Sequence, residues 1–178
     1  MTEIELNILN WIYKNLKCDF LDFLMPIVTH LGTGGVFWIV IAIILIITKK
    51  YRRTGIIMLA GMLLGLIIGN LIIKNLVART RPYDINTNVK LLTSKPFEYS
   101  FPSGHTLVSV ISATILTLTS KKFAIFAIPI ALLVAFSRLY LYVHFPTDVL
   151  GAIILGVAIG VFTFFYANKI MDNKKLRR

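Results

Sequence analysis

Long apolar runs separated by short polar punctuation dominate this chain. Five of them, Val36–Thr48, Gly55–Val77, Gly104–Thr119, Phe123–Tyr142 and Val149–Asn168, read as membrane-spanning helices, because a bilayer core about 30 Å thick calls for about 20 apolar residues per helix. A shorter stretch, Phe20–Gly32, carries Asp22 and His30 and brings the expected count to six if it also crosses. Ahead of it, Ile4, Ile8, Trp11, Ile12 and Leu16 recur at helical spacing, while Glu3, Glu5, Asn10, Lys14 and Lys17 take the other faces. That pattern predicts an amphipathic helix lying in the membrane interface. The opening is too polar for a signal peptide and lacks a small-residue cleavage site.

Composition agrees with the pattern. At 57% hydrophobic and 15% charged residues, with a mean hydropathy of +0.79, the chain is too apolar for a soluble domain. The expected fold is all-α, a polytopic membrane helix bundle forming one domain over residues 1–178. Gly61, Gly65 and Gly69, and again Gly156 and Gly160, are spaced so that helix backbones can approach closely. Packing inside a monomer is favoured over a dimer seam, since the polar residues of those spans must converge. Trp11 and Trp38 read as interfacial anchors. Cys18 stands alone, which excludes an intramolecular disulfide, and no spacing suggests structural zinc.

The net charge of +11 follows from topology. Lys49, Lys50, Arg52 and Arg53, then Lys121 and Lys122, then Lys174, Lys175, Arg177 and Arg178 fall on one side of a six-span layout. The positive-inside rule makes that side cytoplasmic. Such segments attract anionic membrane lipid, and no nucleic-acid motif accompanies them, so nucleic acid is excluded as a partner.

Three polar clusters sit at the ends of apolar runs on the opposite side. The first joins Lys74 to Arg81-Pro82; seven residues apart, the two cations share a face for as long as a helix lasts, and Pro82 helps to end it. The second, Pro102-Ser103-Gly104-His105, looks like a helix entrance, with Ser103 as N-cap and unpaired backbone N–H groups at the positive end of a helix dipole. The third places Ser137-Arg138 ahead of His144, with Asp148 four residues later, a spacing that lets a carboxylate orient an imidazole. Together they supply three fixed cations, two histidines and one carboxylate, the inventory needed to hold and attack a phosphate without a metal. Ionisable groups beside lipid are costly and default to functional candidates.

These clusters resemble the tripartite signature of the type 2 phosphatidic acid phosphatase superfamily, membrane lipid phosphatases related to vanadium haloperoxidases. Each element is complete, at Lys74–Pro82, Pro102–His105 and Ser137–Asp148. The resemblance implies a cofactor-free, metal-independent phosphatase. In that scheme His144, oriented by Asp148, attacks phosphorus to form a phosphohistidine, and His105 protonates the leaving oxygen and then activates water. Lys74, Arg81, Ser103, Gly104 and Arg138 bind the phosphate oxygens.

The expected substrate is a membrane lipid phosphate or diphosphate, hydrolysed at the extracytoplasmic face of a bacterial-type cytoplasmic membrane. Arg79, Lys90 and Lys95 form a basic fringe that favours a diphosphate such as undecaprenyl diphosphate. Phosphatidylglycerophosphate and phosphatidic acid are the alternatives. A non-catalytic lipid-binding protein or transporter would also keep a basic pocket, but has no need of both His105 and the His144–Asp148 pair.

Overall fold

The computed structural model describes residues 2–176. Among them the regular elements are all helical: α1 (Thr2–Asn15), α2 (Asp19–His30), α3 (Val36–Ile47), α4 (Arg52–Gly65), α5 (Lys74–Val77), α6 (Pro82–Ile85), α7 (Gly104–Thr119), α8 (Lys121–Tyr140) and α9 (Pro146–Leu176). A π-helical stretch, Leu66–Ile73, joins α4 to α5. Arg177, Arg178 and the side chains of Lys174 and Lys175, used above to orient the chain, lie outside the described residues.

Among the described residues three stretches are long and apolar enough to cross a membrane: Lys49–Ile85, Lys121–Tyr140 and Pro146–Asn173. Phe20–Gly32 and Val36–Thr48, expected as separate spans, instead belong to one bent pair, α2 and α3 meeting at 49°. Each helix of 12 residues rises roughly 18 Å, short of a bilayer core, and the modest angle carries the chain onward rather than back. Side-chain contacts follow the same descent. Asp22 meets Tyr140, Thr29 meets Arg138, and Trp38 meets Ser109 farther along α7. The break rests on Gly34 (φ 57°) and Gly35 (φ 68°), left-handed conformations that cost little only without a Cβ. The apolar helices are therefore the bent α2–α3 pair, three long stretches and the 16-residue α7, which does not bear out a count of six.

The bent pair changes where α1 lies. Leu9 and Ile12 of α1 are buried with Tyr83 and the Tyr140–Phe145 turn, while Ile4 and Trp11 remain 67% and 58% exposed. The helix thus rests one face on the end of the bundle that carries the three clusters and offers its other apolar face outward. The opposite end is basic: Arg53 pairs with Asp172 at 2.6 Å, and Lys49, Lys50, Lys121 and Lys122 are exposed there.

Helix α7 is the axis of the core, with Ile111 and Ile115 fully buried. Both glycine stripes grip it within the chain. A methyl at Gly61 would lie 2.9 Å from Ile115, and one at Gly156 would lie 2.9 Å from Val110 and 3.3 Å from the Leu107 carbonyl. Trp38, expected at an interface, is instead wholly buried and donates to the Ser109 hydroxyl at 2.9 Å, because the broken span carries the start of α3 into the bundle. Trp11 does face outward.

Overpacking the α7–α9 contact should cost about 1–3 kcal/mol. Gly156→Leu is expected to lower the unfolding temperature of detergent-solubilised protein and leave its oligomeric state unchanged. A change of oligomeric state at unaltered stability would place the stripe on a dimer seam instead.

Candidate active site

The first cluster does not converge by helical periodicity. Helix α5 stops at Val77, and Ala78 turns left-handed (φ 46°, ψ 39°), so the helix ends before Pro82, which instead opens α6. Lys74 and Arg81 therefore meet through a reversal of the chain. Arg81 is held by three carbonyls: Nε donates to Glu98 at 2.7 Å, one terminal nitrogen to Tyr99 at 3.1 Å, and the other to Val143 at 2.8 Å. That last nitrogen also lies 3.2 Å from Nε2 of His144. Lys74, buried, donates to the carboxylate of Glu98 at 2.5 Å.

In the second cluster Ser103 occupies the N-cap of α7, but its hydroxyl does not cap the backbone. It is fully buried and pairs with the Thr106 hydroxyl at 2.9 Å, and its N–H donates to the Asp148 carbonyl at 3.2 Å. Gly104 faces the site, and Asn70 covers it, its side-chain oxygen 3.2 Å from where a Cβ would stand. His105 approaches the break between α2 and α3, where a methyl on Gly32 would lie 2.8 Å from its Cβ. The Thr33 hydroxyl lies 3.2 Å from His105 Nε2.

The third cluster surrounds Asp148, which has no exposed surface. One carboxylate oxygen accepts from Ser100 at 2.5 Å and from the Phe145 N–H at 2.8 Å, and lies 3.5 Å from Nδ1 of His144. The other accepts from Arg79 at 2.6 Å. Arg138 bonds the Thr29 hydroxyl, yet its Nε is buried without a partner.

Lys74, Arg81, Gly104, His105, Arg138 and His144 all line one cavity of about 790 Å³. Ser103 and Asp148 lie behind its wall. From this polar head the cavity continues along apolar side chains, among them Leu59, Leu63, Leu66 and Ile111. Leu63 and Leu66 are 58% and 48% exposed, so the apolar branch reaches the lipid-facing surface.

A sequence model described as the PAP2 superfamily matches residues 54–172. The chain belongs to this family. It is 38% identical over 120 residues to an undecaprenyl-diphosphatase of Sulfolobus acidocaldarius, an alignment covering 67% of this chain and 58% of that relative's length. Among solved structures, it resembles a transmembrane PAP2-type phosphatidylglycerolphosphate phosphatase from Bacillus subtilis (TM-score 0.74, 27% identity, 96% of this chain and 86% of that one). It also resembles LpxE of Aquifex aeolicus (TM-score 0.79, 26% identity, 90% and 94%). With its long apolar helices, this PAP2 chain is an integral membrane protein.

Several site residues of this PAP2 chain lie outside the three clusters. Asn70 was legible as a polar residue inside the apolar run Leu66–Ile73, where it is conspicuous. Glu98, Ser100, Thr29 and Thr33 carried no such signal, since they sit in a polar loop or beside a turn. Arg79 was read as part of a basic fringe for a second phosphate, but its guanidinium turns inward. It bonds Asp148, the Thr147 hydroxyl at 2.7 Å and Glu5 at 2.6 Å. Lys90 and Lys95 are exposed, and Lys95 lies 5.5 Å over the Tyr83 ring; neither lines the cavity.

Electrostatics sharpen the picture. Burial pushes the His144 imidazole down to about 3, aided by the Arg81 and Arg138 cations and opposed by Asp148. At neutral pH the ring is uncharged, with Nε2 turned to the Arg81 guanidinium and Nδ1 toward Asp148. The hydrogen bond from Lys74 holds the Glu98 carboxyl below its ordinary range, against partial burial. A histidine buried in neutral form binds its proton later than in the unfolded chain, so stability should rise with pH between about 3 and the ordinary 6.5. Thermal unfolding from pH 6.5 to pH 4 is expected to show a smaller loss in His144→Gln than in the parent protein.

Proposed function

We propose that this protein is a metal-independent lipid phosphatase working through a phosphohistidine at His144, with a polyprenyl diphosphate as substrate. The observation that carries the reading is the polar head of the cavity. There Lys74, Arg81 and Arg138 converge beside a neutral His144, while the apolar branch beyond offers room for a lipid tail. Three fixed cations lining one pocket favour an anion, and charge-assisted bonds to phosphate oxygens satisfy them. In the reaction, His144 Nε2 forms a bond to phosphorus as the bond to the leaving oxygen breaks, and His105 gives that oxygen its proton. Water then attacks the phosphohistidine, surrendering a proton to His105 and freeing His144 with release of phosphate. Fixed cations stabilise charge on the equatorial oxygens throughout.

The Glu98 carboxylate pairs with the Lys74 ammonium, so a phosphate competes with it there. Around the site, Lys74, Arg79, Arg81 and Arg138 face the carboxylates of Glu5, Glu98 and Asp148. Withdrawal of Glu98 leaves two excess cations, a match for a phosphoryl dianion. The basic residues at the far end of the bundle support an extracytoplasmic site by the positive-inside rule. The undecaprenyl-diphosphatase relative favours a polyprenyl diphosphate, while the likeness to a phosphatidylglycerolphosphate phosphatase over 96% of the chain keeps that lipid as the second reading.

Phosphate release from undecaprenyl diphosphate, farnesyl diphosphate, phosphatidylglycerophosphate and phosphatidic acid by purified protein tests both readings. Activity should survive excess EDTA and be inhibited by vanadate, and His144→Ala should trap no phosphoenzyme. Abolition by EDTA with rescue by Mg²⁺ would sink the mechanism, and better turnover of phosphatidylglycerophosphate would replace the substrate. Because the supposed fringe lies off the cavity, Lys90→Ala with Lys95→Ala should leave the preference among the four lipids unchanged. Glu98→Gln should tighten vanadate inhibition by removing the competing charge; weaker inhibition would make Glu98 a substrate-binding group.

A further inference from the structure

Glu5 and Arg79 are inward-turned charged groups that the proposed chemistry leaves unused. Arg79 does not line the cavity, and Glu5 is only 4% exposed although it lies on an otherwise superficial helix. Their contacts form a closed ring. Arg79 reaches Asp148 through one terminal nitrogen and Glu5 through the other, at 2.6 Å each. The second oxygen of Glu5 accepts from the N–H and the hydroxyl of Thr147, at 3.1 Å and 2.6 Å. Thr147 immediately precedes Asp148 in the first turn of α9, so the ring returns to its start. The guanidinium carbon also lies 4.0 Å over the centre of the Phe145 ring, a cation–π contact.

The ring constrains how Asp148 meets His144. Its carboxylate is fully buried, a state that is costly unless charge and lone pairs are satisfied. Arg79 satisfies one oxygen with a charge-assisted bond, leaving the other for Ser100, the Phe145 N–H and the imidazole. Without Arg79 one oxygen loses its charge-assisted donor, and the carboxylate is held through the other oxygen alone. Without Glu5, the guanidinium loses its second anchor and the first turn of α9 loses an acceptor for its Thr147 N–H. A lysine at position 79 would supply the charge but not the two-pronged geometry.

We infer that Arg79 is a positioning residue for the His144–Asp148 pair, and that Glu5 completes its setting, which makes the N-terminal helix α1 part of the catalytic apparatus. The inference rests on the reading of His144 as nucleophile. Its test is the kinetics of the full-length protein in detergent, with farnesyl diphosphate and phosphatidic acid as substrates, for Arg79→Ala, Arg79→Lys, Glu5→Gln and the Glu5→Gln/Arg79→Ala pair. Misplacing a reacting group costs on the order of 10²-fold. Arg79→Ala should therefore lower kcat by roughly that factor with KM nearly unchanged on both substrates, and Arg79→Lys should recover part of the loss. Glu5→Gln alone should lower kcat less, and in the Arg79→Ala background it should add nothing, because both act through one ring.

A rise in KM confined to farnesyl diphosphate would make Arg79 a ligand of the second phosphate and overturn the inference. So would an unchanged kcat in Arg79→Ala, or additive losses in the pair. If the parent protein turns over neither lipid, the proposed function fails on its own account. The ring is then tested by thermal unfolding of the same variants, where non-additive shifts uphold it and additive shifts refute it.

Discussion

Asp148 is a carboxylate placed where water cannot reach it, and the arrangement around it follows from that single cost. Three segments distant in sequence meet there: Arg79 and Ser100 donate to its side chain, Ser103 donates to its backbone carbonyl, and His144 stands beside it. Any one of these contacts alone would leave an ionised group under-satisfied in an apolar bundle. The signature elements are thereby bound to each other.

The cations nearby are satisfied to different degrees. Arg81 is spent mostly on backbone carbonyls, which makes it a brace for the Glu98–Tyr99 loop and the Val143–His144 turn. Lys74 has a removable partner on an exposed loop residue. Arg138 bonds Thr29 of α2 and lines the cavity, while among the described residues its buried Nε has no acceptor.

Much of this was legible from spacing. The apolar runs located the long helices well, because a period of 3.6 and a length of some 20 residues are local properties, and the polar clusters at their ends led to the cavity. What escaped was geometry set by tertiary contact. Nothing local distinguishes a Gly-rich turn between two spans from a Gly-rich break inside one, so the α2–α3 bend was read as two crossings and Trp38 as an interfacial residue. Lys74 and Arg81 were paired by a helical repeat, whereas a left-handed Ala78 brings them together. Arg79 looked solvated because its partners, Glu5 and Asp148, lie 74 and 69 positions away, beyond the reach of any periodicity. The Ser103 hydroxyl followed N-cap statistics in position but not in bonding, since Thr106 lay within its reach.

The π-helical stretch Leu66–Ile73 takes in Gly69, the last residue of the glycine stripe that packs on α7, and leads to Lys74, which lines the cavity. Its i→i+5 bonding widens the turn and shifts the angular phase of everything beyond it. Upstream, Gly61 and Gly65 are tuned to the rhythm of a close helix–helix contact; downstream, Lys74 answers to a different rhythm, that of the pocket. A uniform α-helix would impose one phase on both, so that improving the seam would rotate the lysine. The wider turn works as a clutch between the two, leaving the scaffold and the chemistry on one helix free to diverge in separate steps.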